Sequence, residues 1–274
     1  MERHHSSVLT MVAGQGARGV AVAGWKSRLA ASGCHLCLSM LVAGIVLACV
    51  YIGWYRGPLD SISGVGQVLL LVIAVDVALG PLLTFVVYDR RKSSLPFDLA
   101  CIGMMQFAAL FYGLYTVEAG RPHYLVFVKD RFEVVSTADL RSEDRAAARG
   151  NPEADIDWVG PRIVAAAVPS SETERQQILF ESISGGRDLQ HFPERYRSYE
   201  SHAELAALRA RPLAELRALN PGLDDSLQRA VARTGLAESE VGFLPVKGPA
   251  DDAAMLIQVS TGAVAGMVHL RPWR

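Results

Sequence analysis

The sequence predicts a membrane all-α part, made of three transmembrane helices, followed by a soluble α+β domain. Three observations predict it. Apolar residues make up 50% of the 274 residues, and the excess is concentrated between residues 36 and 117. Most of the charge lies after residue 120. That charged part mixes alternating, β-branched runs with leucines at helical spacing. The formal net charge is only −1, and acids slightly outnumber bases in the charged part, so no basic patch points to a nucleic-acid partner.

A helix needs about 20 predominantly apolar residues to cross a bilayer. Three runs satisfy this: "LCLSMLVAGIVLACVYIGWY" (36–55), "VGQVLLLVIAVDVALGPLLTFVVY" (65–88) and "FDLACIGMMQFAALFYGLYTV" (97–117). The connections are short, so neighbouring spans are antiparallel. The organisation that follows is a flexible N-terminus (1–34), a three-helix membrane domain (35–118) and an α+β domain (119–274). Residues 1–25 are rich in Gly, Ala and Ser without periodicity, with Met11 as an alternative translation start.

Basic residues in the short segments set the orientation. Arg3, Arg18, Lys26 and Arg28 precede the first span, and Arg90, Arg91 and Lys92 fill the second connection, whereas the first connection holds only Arg56. The positive-inside rule then makes the N-terminus and the second connection cytoplasmic and exports the C-terminal domain, into the periplasm of a Gram-negative cell. The chain is expected in the inner membrane, in contact with its lipid.

The four cysteines, Cys34, Cys37, Cys49 and Cys101, lie in or beside the spans. None is left to cross-link the exported domain, whose stability must come from its core. "CHLC" (34–37) has CxxC spacing but no second pair, so small apolar packing at a helix start is favoured over a metal or redox site. "GVAVAGWKS" (19–27) falls short of a phosphate-binding loop, because Trp25 separates Gly24 from Lys26 and no strand precedes it.

Asp76 stands in the middle of the second span. A charge at that depth costs at least about 2.5 to 3.5 kcal/mol on insertion scales, so the carboxylate is expected to face protein. A partner follows from depth. Asp76 lies twelve residues before Tyr88 and Gln106 nine after Phe97, a difference of roughly 4.5 Å of helical rise. The two side chains are therefore candidates for an interhelical hydrogen bond, worth about 0.6 to 2 kcal/mol. Gly80-Pro81 adds a kink, since Pro81 lacks the amide that would meet the carbonyl of Val77. Three roles are open to this spot: a packing bond with a helix bend, a docking point for another protein's membrane helix, or a proton or ion relay. Relays need several ionisable groups at one depth, and only Asp76 qualifies here.

In the exported domain, "HYLVFV" and "RFEVVS" flank "KD" and read as a β-hairpin. A charged surface helix and loop (141–160) follows, then a short strand in "PRIVAAAVP". A helix begins after Ser171, and two more carry Leu at helical spacing, with Ser201 and Glu204 as a capping box, Asp225 as a cap, and Pro221-Gly222 and Gly235 as stops. The last section reads as three strands, the final two joined at "STG".

The histidines of this domain, His123, His191, His202 and His269, stand alone in sequence. There is no HExxH, GxSxG or cysteine nucleophile. "SGGRD" (184–188) has the composition of an anion-binding turn but reads more simply as a surface loop. No catalytic residue, metal site or cofactor is expected.

"WYRGPL", "DVALGPLLTFVVYDRRKSSLPFDLACIGMMQFAALFYGLY", "RPHYLVFVKDRFEVVSTADL" and "TGAVAGMVHLRPW" together resemble the type IV pilin accessory proteins of the TfpX/TfpZ type. The likeness covers residues 25–140 and, more weakly, the last 35 or so, while the extension before Trp25 departs from it. The resemblance implies a non-enzymatic inner-membrane factor that supports assembly or dynamics of type IV pili by acting on the major pilin or other pilus-assembly proteins. It also implies a partner that waits in the membrane as a single apolar helix carrying an acid. The alternative from the residues is a membrane enzyme or transport component that uses Asp76 as a working acid.

Overall fold

The computed structural model describes residues 5–273, with side chains from Gly24 onward. The expectation of a flexible start at residues 1–25, with Met11 as an alternative start, falls mainly outside the described side chains. The chain divides into two compact units, Met1–Leu47 with Val68–Tyr115, and Ala48–Gln67 with Thr116–Arg274.

The first unit is helical. Helix α1 (His5–Cys49) continues as a π-helical turn at Val50–Trp54, which with the short α2 (Leu59–Ser63) already belongs to the second unit. Helices α3 (Val65–Ala74) and α4 (Gly80–Val87) form one rod through a second π turn at Val75–Leu79, and α5 is Leu95–Ala119. Three segments are long and apolar enough to cross a membrane: Gly24–Trp54, Val65–Val87 and Leu95–Ala119. The first starts earlier than the sequence reading placed it. Residues 24–34, expected to be flexible, are helical, because Trp25 packs edge-on against Phe85 at 6.1 Å and Ser32 bonds to the second rod.

The second unit is built on one sheet. Its strands are β1 (Pro122–Val128), β2 (Arg131–Ser136), β3 (Arg162–Ala166), β4 (Tyr196–Ser198), β5 (Arg211–Pro212), β6 (Val241–Lys247), β7 (Asp252–Gln258) and β8 (Val264–Val268). They run in the order β4-β3-β1-β2-β6-β7-β8, with β5 added to β6. β1 and β2 form the expected hairpin about Lys129-Asp130, where Lys129 takes φ 59°. β3 lies parallel to β1 and β6 parallel to β2, and β6, β7 and β8 form an antiparallel meander.

β1 is buried along its whole length because it is central and covered on both faces, which explains its unbroken apolar run. Tyr124, Val126 and Val128 face one cluster with Val135, Val164, Leu189 and Tyr196. The alternate Phe127 meets Phe132 and Tyr199 with ring centroids 5.4 and 6.0 Å away. A second cluster joins β6–β8 to α9 (Leu213–Leu219) and α10 (Asp224–Thr234). Leu227, Ala230 and Val231 of α10 bury one face at helical spacing.

Two caps differ from the sequence reading. A 3-10 turn at Tyr199–His202 precedes α8 (Ala203–Arg209), so His202 is the N-cap, and Ser201 donates to the carbonyl of Ser198 instead of closing a box with Glu204. Asp225 lies inside the first turn of α10, after the cap residue Leu223. The stop at Gly235 is present, with φ 71°. Helices α6 (Ser142–Ala147) and α7 (Glu172–Gly185) complete the unit, and α7 leaves Leu179, Phe180 and Ile183 exposed.

The first interspan connection belongs to the α+β unit. Ile62 is fully buried, and its carbonyl accepts from the amides of Ala250 and Asp251 at 2.9 and 3.3 Å. This tie requires the 56–64 connection and the C-terminal domain to share one side of a membrane.

Candidate functional site

Asp76, Gly80, Pro81 and Gln106 come together in the helical unit. In a π turn each carbonyl looks for the amide five residues on. For the carbonyl of Asp76 that residue is Pro81, which has no N–H. The side chain of Gln106 fills the gap: Nε2 donates to the backbone oxygen of Asp76 at 3.0 Å and to its carboxylate Oδ1 at 2.7 Å. The carbonyl that receives outside help is thus that of Asp76 and not that of Val77, because the widened turn shifts the register by one residue.

Glycine makes this approach feasible. A Cβ at position 80 would collide with the amide group of Gln106. Further along the same helix pair, a Cβ at Gly113 would collide with the side chain of Val72. Small residues at both levels let the rods approach closely, the usual way helices gain contact in lipid. Gly80 and Pro81 are buried, while Asp76 and Gln106 are half-buried. Asp76 Oδ2 has no hydrogen-bond partner among the described residues.

A second polar layer went unread in the sequence. Ser32 Oγ donates to the carbonyl of Pro81 at 2.8 Å, and His35 Nδ1 lies 2.6 Å from Thr84 Oγ1. The sequence carries the signal as polar or irregular positions at i and i+3 on both helices, but the apolar run of the first span begins only at residue 36. Thr84 is eight residues from Asp76, about 12 Å along the helix, so the two layers lie at different depths. In the second connection Lys92 Nζ pairs with Asp98 Oδ2 at 2.6 Å, Arg90 Nε donates to the hydroxyl of Tyr88 at 3.2 Å, and Arg91 is exposed.

A third cluster lies in the α+β unit, where His123 is not alone. Arg121 is almost completely buried, and its guanidinium donates to His123 Nε2 at 2.9 Å and to the carbonyls of Trp158 and Asp157 at 2.8 and 2.7 Å. It also stands over the ring of Trp54, 5.2 Å from the centroid. His123 Nδ1 reaches the carbonyl of Arg121 at 2.9 Å. With Nε2 accepting, Nδ1 must carry the proton, so the ring is neutral. Burial, and then the charge of Arg121, hold the imidazole below its ordinary pKa, and burial also lowers that of Arg121. In "SGGRD", Arg187 is committed to Asp144 and to Glu181, so that turn has no free guanidinium for an anion.

No solved structure matches the chain. The family described as Fimbrial assembly protein FimB matches residues 23–64, the first span and α2. Fimbrial assembly protein, serogroup I, of Dichelobacter nodosus is 29% identical over 219 residues, which cover 78% of this chain and 84% of that protein. Fimbrial assembly protein, serogroups C1 and C2, of the same organism is 32% identical over 111 residues, 40% of this chain and 85% of the relative. With three membrane-length helices ahead of an α+β domain, and relatives matched over most of their own length, the chain belongs to the FimB family of fimbrial assembly proteins.

Proposed function

We propose that this protein is a non-enzymatic inner-membrane accessory factor for type IV pilus assembly or dynamics, acting by binding the major pilin or another pilus-machine subunit. The fimbrial assembly relatives support the pilus role. The type IV assignment rests on the resemblance to the pilin accessory proteins. The N-terminus and the 89–94 connection are cytoplasmic, and the α+β domain is periplasmic. Basic residues support this orientation, as does the tie between Ile62 and Ala250, which keeps the first connection and the C-terminal domain together.

The observation that carries the binding site is the half-satisfied carboxylate: Gln106 takes one oxygen of Asp76 and leaves the other available. A π turn at that residue supports the same reading, since such turns concentrate at functional positions. Asp76 is therefore the point where the membrane helix of a pilus subunit docks. A relay is disfavoured, because the one side chain bonded to the Asp76 carboxylate is the non-titrating amide of Gln106, and the layer that holds His35 lies about 12 Å along the helix.

Asp76→Leu in pilus-bearing cells tests this, with protein level followed by immunoblot. The expected result is normal accumulation with loss of surface pili. Normal piliation would leave the carboxylate as internal packing only.

A further inference from the structure

The loop between the surface 3-10 turn at Pro152–Ala154 and β3 carries three exposed apolar side chains, Ile156, Trp158 and Val159. Trp158 is 75% exposed, although tryptophan carries one of the largest apolar surfaces of any side chain. The α+β unit leaves about half of Ile156 and Val159 and three quarters of Trp158 uncovered. Two connections fix where this loop stands. The amide of Gly160 donates to the carbonyl of Gly53 at 2.9 Å, and Gly53 lies in the last turn of the first membrane-length segment, Gly24–Trp54. Arg121, two residues beyond the third segment, Leu95–Ala119, holds the carbonyls of Asp157 and Trp158. The loop is thus fastened to the ends of two spans, where a helix leaves hydrocarbon and enters the headgroup zone.

Its chemistry suits that zone. Trp54 and Trp158 pack edge to face with centroids 6.3 Å apart, and tryptophan concentrates at bilayer interfaces because its ring is apolar while its N–H remains hydrated. The carboxylate of Asp157 is engaged by Arg162 through Nε and Nη2 at 3.0 and 2.8 Å, so immersing the loop brings no bare charge from that residue with it. We propose that the Ile156–Val159 turn is a membrane-interface anchor: its apolar side chains enter the headgroup and upper acyl region of the bilayer beside the ends of the first and third spans. The partner is a lipid surface and not a protein, because the loop is continuous with the place where the spans themselves meet lipid.

The full-length chain, with its four cysteines replaced by serine, is labelled with a nitroxide at Val159→Cys and reconstituted in nanodiscs of phosphatidylethanolamine and phosphatidylglycerol. Val159→Cys keeps Trp158 and all the backbone bonds in place. Leu208→Cys, on the 77% exposed Leu208 of α8, serves as the aqueous control. The anchor predicts that dissolved oxygen relaxes the label at 159 more than a water-soluble nickel chelate does, with the reverse at 208. A label at 159 that matches 208, or one shielded from both reagents by protein, would overturn the proposal. Brominated lipid supplies an independent readout: it should quench tryptophan emission less in Trp158→Phe than in the parent, and equal quenching would also count against the anchor.

Discussion

Gln106 gives one side-chain amide to two acceptors of Asp76, the carboxylate at 2.7 Å and the backbone carbonyl at 3.0 Å. One residue thereby satisfies both consequences of the local sequence: an acid inside an apolar helix, and a carbonyl that Pro81 cannot meet. Gln106→Leu removes both bonds while preserving approximate size. It should lower resistance to unfolding in mild detergent by about 1 to 2 kcal/mol. Unchanged stability would mean that the contact is not made in the membrane.

Gly80 tests the same contact from the other side. Gly80→Ala introduces a Cβ into the space occupied by the Gln106 amide. Overpacking of this kind costs about 1 to 3 kcal/mol, despite the better helix propensity of alanine. Gly80→Ala and Gln106→Leu should be strongly non-additive in a double-mutant cycle, since the second substitution removes the hydrogen bonds that the first disturbs.

Arg121 closes two loop carbonyls and one imidazole nitrogen in a buried position. Arg121→Leu strands these acceptors and should cost about 3 kcal/mol or more of domain stability. Arg121→Lys should rescue little, because a single ammonium cannot reproduce the planar fork. Limited proteolysis of the full chain should show new cleavage within residues 155–160 in both variants.

His123 predicts an acid-sensitive fold. Its folded pKa lies below the ordinary value near 6.5. Above that value both folded and unfolded rings are neutral and no dependence arises. As pH falls below about 6.5 the unfolded ring binds a proton that the folded ring refuses, so stability declines until the depressed folded pKa is reached. Protonation would also direct an Nε2–H at the Nε–H of Arg121. The melting temperature should fall between pH 7 and pH 5.5, and His123→Gln, which retains an acceptor, should flatten that slope. An equal slope in the variant would assign the dependence to other groups.

The parts of the fold legible in the sequence were those where one physical term dominates. Long apolar runs specify spans, and the "KD" turn between β-branched runs specifies the β1–β2 hairpin. The Asp76–Gln106 pair could be placed by counting rise per residue from the shared turn, because two antiparallel helices leave little freedom in depth. The caps were harder to read. Ser201-Glu204 has the pattern of a box, but the chain enters α8 through a 3-10 turn that moves the cap to His202, and that turn follows from Tyr199 burying its ring against Phe127 and Phe132. The π turn at Asp76 and the Arg121–His123 pair also escaped, since each depends on contacts that linear spacing does not encode. The alternation of Arg121 and His123 flanking Pro122 was the available signal, and a buried arginine is too rare to expect from it.

The central claim, that a pilus subunit's helix docks at Asp76, is most directly tested by photocrosslinking from Leu79. This residue is 49% exposed and one turn from Asp76 within the same π segment. A photoreactive amino acid at position 79, activated in pilus-producing cells, should capture pilin through its membrane helix, and Asp76→Leu in the same chain should abolish the adduct. Capture of no pilin subunit, or an equal yield of adduct with and without the Asp76 carboxylate, would contradict the claim.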